Sequence, residues 1–151
     1  MSKSKRQGEL AETAFLHRAT ELELRVSKPF GDCERYDFIV DNGEKRLRVQ
    51  VKSTRAQQRD RLYQVGIGHT LYSYKFPRQQ AAYLASEIDF LAVYIFPERS
   101  WYILPSGVLE GRKTLSLHAK EHPRAGVNEV YREAWHLLGR ARVKTRASEH
   151  R

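Results

Sequence analysis

Residues 35–53 read RYDFIVDNGEKRLRVQVKS, with apolar and polar residues alternating on both sides of Asn42-Gly43. Alternation of period two is the mark of a strand with two unlike faces. Asn-Gly between two such runs is a strong hairpin signal, because both residues tolerate the positive φ that a tight turn needs. A two-residue loop sets Asp41 opposite Glu44; counting outward, Phe38 faces Leu47, Asp37 faces Arg48 and Tyr36 faces Val49. Opposed residues share a face. Tyr36, Phe38, Leu47, Val49 and Val51 therefore form an apolar face, and Asp37, Ile39, Arg48, Gln50 and Lys52 share the other. A slip of one residue would set Tyr36 and Phe38 against polar partners, so the apolar pattern itself selects this pairing. Asp37 and Gln50 become diagonal neighbours, roughly 7–8 Å apart at the backbone, and Lys52 lies one step further along.

A carboxylate, an amide oxygen and an ammonium on one face can do defined chemistry. Asp37 can ligate a divalent cation, most naturally Mg²⁺, which prefers oxygen ligands. Gln50 can add a weaker ligand or orient a water. Lys52 can hold a phosphate, or position and help deprotonate an attacking water. The plainer reading of the same residues is a solvated strand face.

The rest of the chain supplies one domain around this hairpin. Residues 8–25 combine good helix formers with Leu10, Ala11, Ala14 and Phe15 at helical spacing, which predicts an N-terminal helix. A short extended piece is expected at 26–30, a strand at 62–67 and a loop at 66–78. A second hairpin is expected over 88–96 and 101–104, and an edge strand at 115–118. NEVYREAWHLL (128–138) reads as a C-terminal helix, with Asn128 as N-cap, Val130, Ala134, Leu137 and Leu138 as its apolar stripe and Gly139 as its stop. The expected fold is α/β or α+β: a central mixed sheet flanked by an N-terminal and a C-terminal helix.

The chain has 151 residues, long enough for one core without staples. We divide it into a domain over 1–139 and a basic tail over 140–151. The formal net charge is +9, from 27 Lys and Arg against 18 Asp and Glu. Such an excess points to a polyanionic partner, and nucleic acid is the commonest. Lys3, Lys5 and Arg6 read as a flexible basic arm, as does the tail. The longest apolar run, Phe90 to Phe96, is too short to cross a bilayer, and no apolar segment follows the basic N-terminus. An intracellular, cytoplasmic protein is the expectation. Cys33 is the only cysteine, so neither an intrachain disulfide nor a cysteine-rich zinc site can form. His118-x-x-x-His122 is followed by Pro123 and has no Cys partner, which argues against zinc. Trp101, Tyr131 and Trp135 read as core or oligomer contacts.

Taken together, Gly8-x-x-x-Glu12 on the first helix, Asp37 in RYDF and Gln50-x-Lys52 in VQVKS resemble the signature of the PD-(D/E)XK nuclease superfamily. The closest similarity is to its small intron-associated homing endonucleases, and more distantly to Holliday-junction resolvases. The likeness extends to KPFGDCERYDF (28–38), AVYIFPERSWYILP (92–105) and YREAWHLL (131–138). It implies a restriction-endonuclease-like core with the active site at the hairpin. It implies a DNA endonuclease using Mg²⁺, with Mn²⁺ as a substitute, and a catalytic set of Glu12, Asp37, Gln50 and Lys52, the first three holding the metal. Only the family pattern selects Glu12, and Glu9 is the fallback. Gln50 departs from the usual Asp or Glu, which removes one negative charge from the metal site. For that reason the alternative is a non-catalytic nucleic-acid-binding module on the same fold. Arg48 and Arg55 flank the site and are candidate phosphate contacts. Tyr72, Tyr74, Lys75 and Arg78, in the basic aromatic segment 66–78, are candidate DNA contacts. Cutting both strands of a duplex favours a homo-oligomer, a dimer or a tetramer.

Overall fold

A computed structural model describes residues 2–72 and 77–139. It opens with α1 (Lys3–Glu21), capped by the Ser2 hydroxyl, which accepts from the Lys5 amide at 3.2 Å. Lys3, Lys5 and Arg6 therefore lie in the helix and are no loose arm, since these side chains favour helix once a cap satisfies the first amides. The helix stops four residues short of expectation, where Glu23 takes a φ of +59°. Ala11, Phe15 and Ala19 form its buried stripe, and Leu10 stays 46% exposed.

Five strands form the main sheet, in the order β1 (Arg25–Ser27), β2 (Phe38–Asp41), β3 (Arg46–Thr54), β7 (Phe90–Ile95) and β8 (Ser100–Pro105). β3 and β7 run parallel and the other neighbours antiparallel. The chain between β3 and β7 carries β4 (Leu62–Gly66), β5 (His69–Tyr72) and β6 (Pro77–Ala81). β4 pairs with β9 (Thr114–His118), and β5 pairs with β6. Of the segment expected to be a loop at 66–78, the described residues 69–72 and 77–78 are strand and belong to a two-stranded ribbon.

The first hairpin forms with a register two residues away from the expected one. Phe38 faces Val49, Ile39 faces Arg48, Val40 faces Leu47 and Asp41 faces Arg46. The Asn42 side chain accepts from the amides of Glu44 (3.0 Å) and Lys45 (2.9 Å), and Asp41 Oδ1 accepts from the Gly43 amide at 2.7 Å. These local bonds open the turn to four residues. A shift of two preserves the partition of faces, so the apolar side remains Phe38, Leu47, Val49 and Val51. Tyr36 leaves it: it lies before β2 and packs in the opposite layer.

Both faces of the sheet are covered. On one side, α1 and the C-terminal segment pack on Phe38, Val49, Val51, Ala92 and Ile103. On the other, Tyr63, Val65, Leu115 and Leu117 of β4 and β9 pack on Leu91, Val93 and Leu104. The polar face of the hairpin lies on the side of this second layer, and Ile39, Arg48, Gln50 and Lys52 on it are partly exposed.

The C-terminal helix expected at 128–138 is absent. Instead, two short 3₁₀ turns, Glu129–Tyr131 and Trp135–Leu138, flank an extended Arg132 and a left-handed Glu133 with φ +50°. Glu133 exchanges backbone and carboxylate bonds with Trp101 (both 2.8 Å) and also accepts from Trp135 Nε1 at 2.9 Å. Pairing with the open edge of β8 outweighs local helix propensity here. Asn128 makes no side-chain cap, and Val130 is 70% exposed, whereas Ala134, Trp135 and Leu138 are buried as expected. Trp101 is buried as well, and Tyr131 packs against the second core cluster.

Gly139 ends the described C-terminus at φ +117°, and a Cβ there would lie 2.4 Å from Asn42 Cβ. Asn42 Nδ2 also donates to the Leu138 carbonyl at 3.0 Å. Gly139→Ala therefore combines a forbidden φ with a clash, and urea denaturation will show a loss of about 2 kcal/mol.

Candidate active site

Phe15 of α1 stacks on Phe38 of β2 with ring centroids 5.2 Å apart. One turn before Phe15 on the helix stands Glu12, and one residue before Phe38 stands Asp37. The same contact that joins helix to sheet thus brings two carboxylates together. Asp37 precedes β2 proper; its amide donates to Val49 O at 2.9 Å and its Oδ2 accepts from the Val51 amide at 2.8 Å. The carboxylate stands in for a ladder acceptor that β2 does not reach.

A cleft of about 310 Å³ opens between α1 and β3, and Glu12, Asp37, Gln50 and Lys52 all line it. Gln7 and Ser53 are lining residues too, joined by a Gln7 Nε2 to Ser53 Oγ bond of 3.1 Å. Lys28, from the segment after β1, pairs with Glu12 at 2.7 Å. Neither Lys28 nor Gln7 is marked by the strand arithmetic. Helical spacing holds the signal for Gln7, since Ser4 before it and Gly8, Ala11 and Glu12 after it line the same face of α1.

The electrostatics of the cleft are those of a strained site. Burial, and then the negative charge of Glu12, pushes the Asp37 carboxyl up to about 6, against the Val51 amide and the nearby Lys52 and Lys28. Burial also pulls the Lys52 ammonium below its ordinary value, although Asp37 opposes this. Burial is the main cause of the Asp37 shift, and a cation bound directly to the carboxylate would offset that loss of hydration. Among the described residues, no group of three or more His, Cys, Asp and Glu is placed to hold a metal. The cleft instead offers two carboxylates and the amide of Gln50, a set of oxygen donors that fits Mg²⁺.

The other candidates stand elsewhere. Glu9 is exposed, and its carbonyl accepts from Thr13. Arg48 is held by Asp89 through Nε and Nη2, both at 3.0 Å, and also donates to the Ser86 carbonyl. It fastens β3 to the loop before β7. Arg55 lies 3.9 Å over the Phe96 ring, beyond the end of β3. Tyr72 falls in β5 and Arg78 in β6, whereas Tyr74, Lys75 and the tail 140–151 lie outside the described residues.

Comparison with known proteins bears on the chain as a whole. A family model described as PD-(D/E)XK endonuclease matches residues 2–138. The solved structure of a bacterial homing endonuclease, I-Ssp6803I, is similar at 28% identity and a TM-score of 0.79, covering 91% of this chain and 93% of that one. No curated protein matches the chain.

Asp37 also gives a stability prediction with a definite sign. Its folded value near 6 lies above its ordinary 3.8, so the folded state holds the proton longer than the unfolded state does. Stability is therefore lost as pH rises from about 4 through 6, and the cost is fully present above that. In metal-free buffer at pH 8, Asp37→Asn will melt about 2–4 °C higher than the wild type, for about 1 kcal/mol after screening at the cleft mouth. The difference will vanish in calorimetry below pH 4.

Proposed function

The chain belongs to the PD-(D/E)XK endonuclease family, and we propose that it hydrolyses phosphodiester bonds of DNA with a divalent metal at the cleft between α1 and β3. The observation that carries this reading is the convergence of Glu12, Asp37, Gln50 and Lys52 on one cleft. Asp37, Glu12 and the amide oxygen of Gln50 would hold Mg²⁺, with Mn²⁺ as a substitute. A metal there supplies Lewis acidity, drawing charge from a phosphoryl oxygen and easing the deprotonation of water. Lys52 sits at the same cleft with a lowered proton affinity. It can bind a non-bridging phosphate oxygen and orient the attacking water. The bond from phosphorus to the leaving sugar oxygen breaks as the bond to the water oxygen forms.

DNA as substrate is supported by the similarity to a bacterial homing endonuclease and by the formal charge of +9. A homo-oligomer is the form we propose in solution, because a two-fold partner presents a second cleft to the other strand. Leu10 and Leu16, 46% and 43% exposed on α1, are apolar surface that such a partner could cover.

Two measurements test the assignment. Lys52→Ala will cut supercoiled plasmid DNA in Mg²⁺ or Mn²⁺ at least about 100-fold more slowly than the wild type; equal cutting by a folded variant refutes its role. Gln50→Glu restores a third carboxylate, and titration calorimetry will show Mg²⁺ binding several-fold more tightly. Unchanged affinity would remove Gln50 from the ligand set.

A further inference from the structure

Lys52 has a buried side as well as a cleft side. β3 residues alternate between the layers, and Lys52 pairs in register with Val93, whose side chain lies in the second core cluster. On that side the Lys52 Nζ lies 5.9 Å over the ring of Tyr83. Tyr83 is only 7% exposed. Behind it stands His69, the first residue of β5, with ring centroids 5.1 Å apart and the planes tilted by 57°. His69 is also close-packed, with 10% side-chain exposure, and its Nε2 lies 3.8 Å from Glu87 Oε2. That same carboxylate oxygen accepts from the Leu84 amide at 2.9 Å, and the Glu87 amide donates back to Leu84 O at 2.9 Å. The turn after Tyr83 is thus closed by the residue that faces His69. The Tyr83 ring is held from its flank and from its own backbone.

We propose that Tyr83 is a positioning residue for Lys52: its ring is a platform that holds the ammonium at the cleft, and His69 holds the platform. The negative face of an aromatic ring attracts an ammonium within about 6 Å, more strongly when water is excluded. A lysine stem has many rotamers, and a fixed partner beneath its head removes most of them before substrate arrives. Because His69 begins β5, the same contact joins the β5–β6 ribbon to the reacting centre. The inference rests on Lys52 being the working residue of the proposed function.

The experiment compares Tyr83→Leu, Tyr83→Phe and His69→Ala in the full chain, cutting supercoiled plasmid DNA with Mn²⁺. Tyr83→Leu lowers kcat about threefold to thirtyfold. KM, and DNA affinity measured with EDTA present, stay within about twofold of wild type on the same grounds. Tyr83→Phe keeps the ring and restores the rate. His69→Ala lowers kcat less than Tyr83→Leu, and the double variant is no slower than Tyr83→Leu alone, because one residue acts through the other. Unchanged kcat in a folded Tyr83→Leu overturns the proposal, as does a change confined to KM, or a Tyr83→Phe as slow as Tyr83→Leu. If Tyr83→Leu fails to fold, Tyr83→Met carries the same test with a better match of buried volume. Lys52→Ala run in parallel separates the two claims. If Lys52→Ala is inactive while Tyr83→Leu cuts normally, only the role of Tyr83 falls; if Lys52→Ala itself cuts normally, the assignment of Lys52 falls.

Discussion

The stack of Phe15 on Phe38 is the contact on which the site depends. It fixes where α1 lies on the sheet, and so helps set the distance from Glu12 to Asp37, because Glu12 stands one helical turn from one ring and Asp37 is the chain neighbour of the other. Trp101 and Trp135 close round the same phenyl group, at 5.7 and 5.5 Å. The ring of Phe15 is therefore gripped by β2, β8 and the C-terminal segment at once. Truncating it would open a cavity and release the helix face that carries one wall of the cleft.

The second constraint is that core packs against both sides of the sheet. A strand face bearing Asp37, Gln50 and Lys52 would be cheap to hydrate in an open hairpin. In the folded chain all three are only partly exposed, and the raised proton affinity of Asp37 and the lowered one of Lys52 follow from that burial. Groups kept where they destabilise the fold are characteristic of sites that bind and react.

Much of this was legible in the sequence. The alternation in RYDFIVDNGEKRLRVQVKS gave the partition of faces, and a register error of two residues left it intact, because strand periodicity is itself two. Asp37, Gln50 and Lys52 followed from that partition. Glu12 did not; it needed the family pattern, since nothing local tells one helical glutamate from another. Lys28 and Tyr83 were hidden because their roles come from tertiary neighbours. The C-terminal helix failed for a related reason: YREAWHLL has good helical spacing, but Glu133 pairs with Trp101 at an open sheet edge, and that outweighs propensity. Arg48 read as a phosphate contact from its place beside the site; its pairing with Asp89, 41 residues away, is tertiary and has no local signal.

The β5–β6 ribbon leaves the crossover between β3 and β7 and returns to it without joining the main sheet. An appendage of that kind can be exchanged while the strands that carry Asp37, Gln50 and Lys52 stay as they are. Its root is constrained, because His69 begins the ribbon and leans on Tyr83. A lineage of such enzymes could thus drift in what the outer ribbon touches while its innermost residues stay constrained. Engineered chimeras that exchange the ribbon would do well to cut beyond His69.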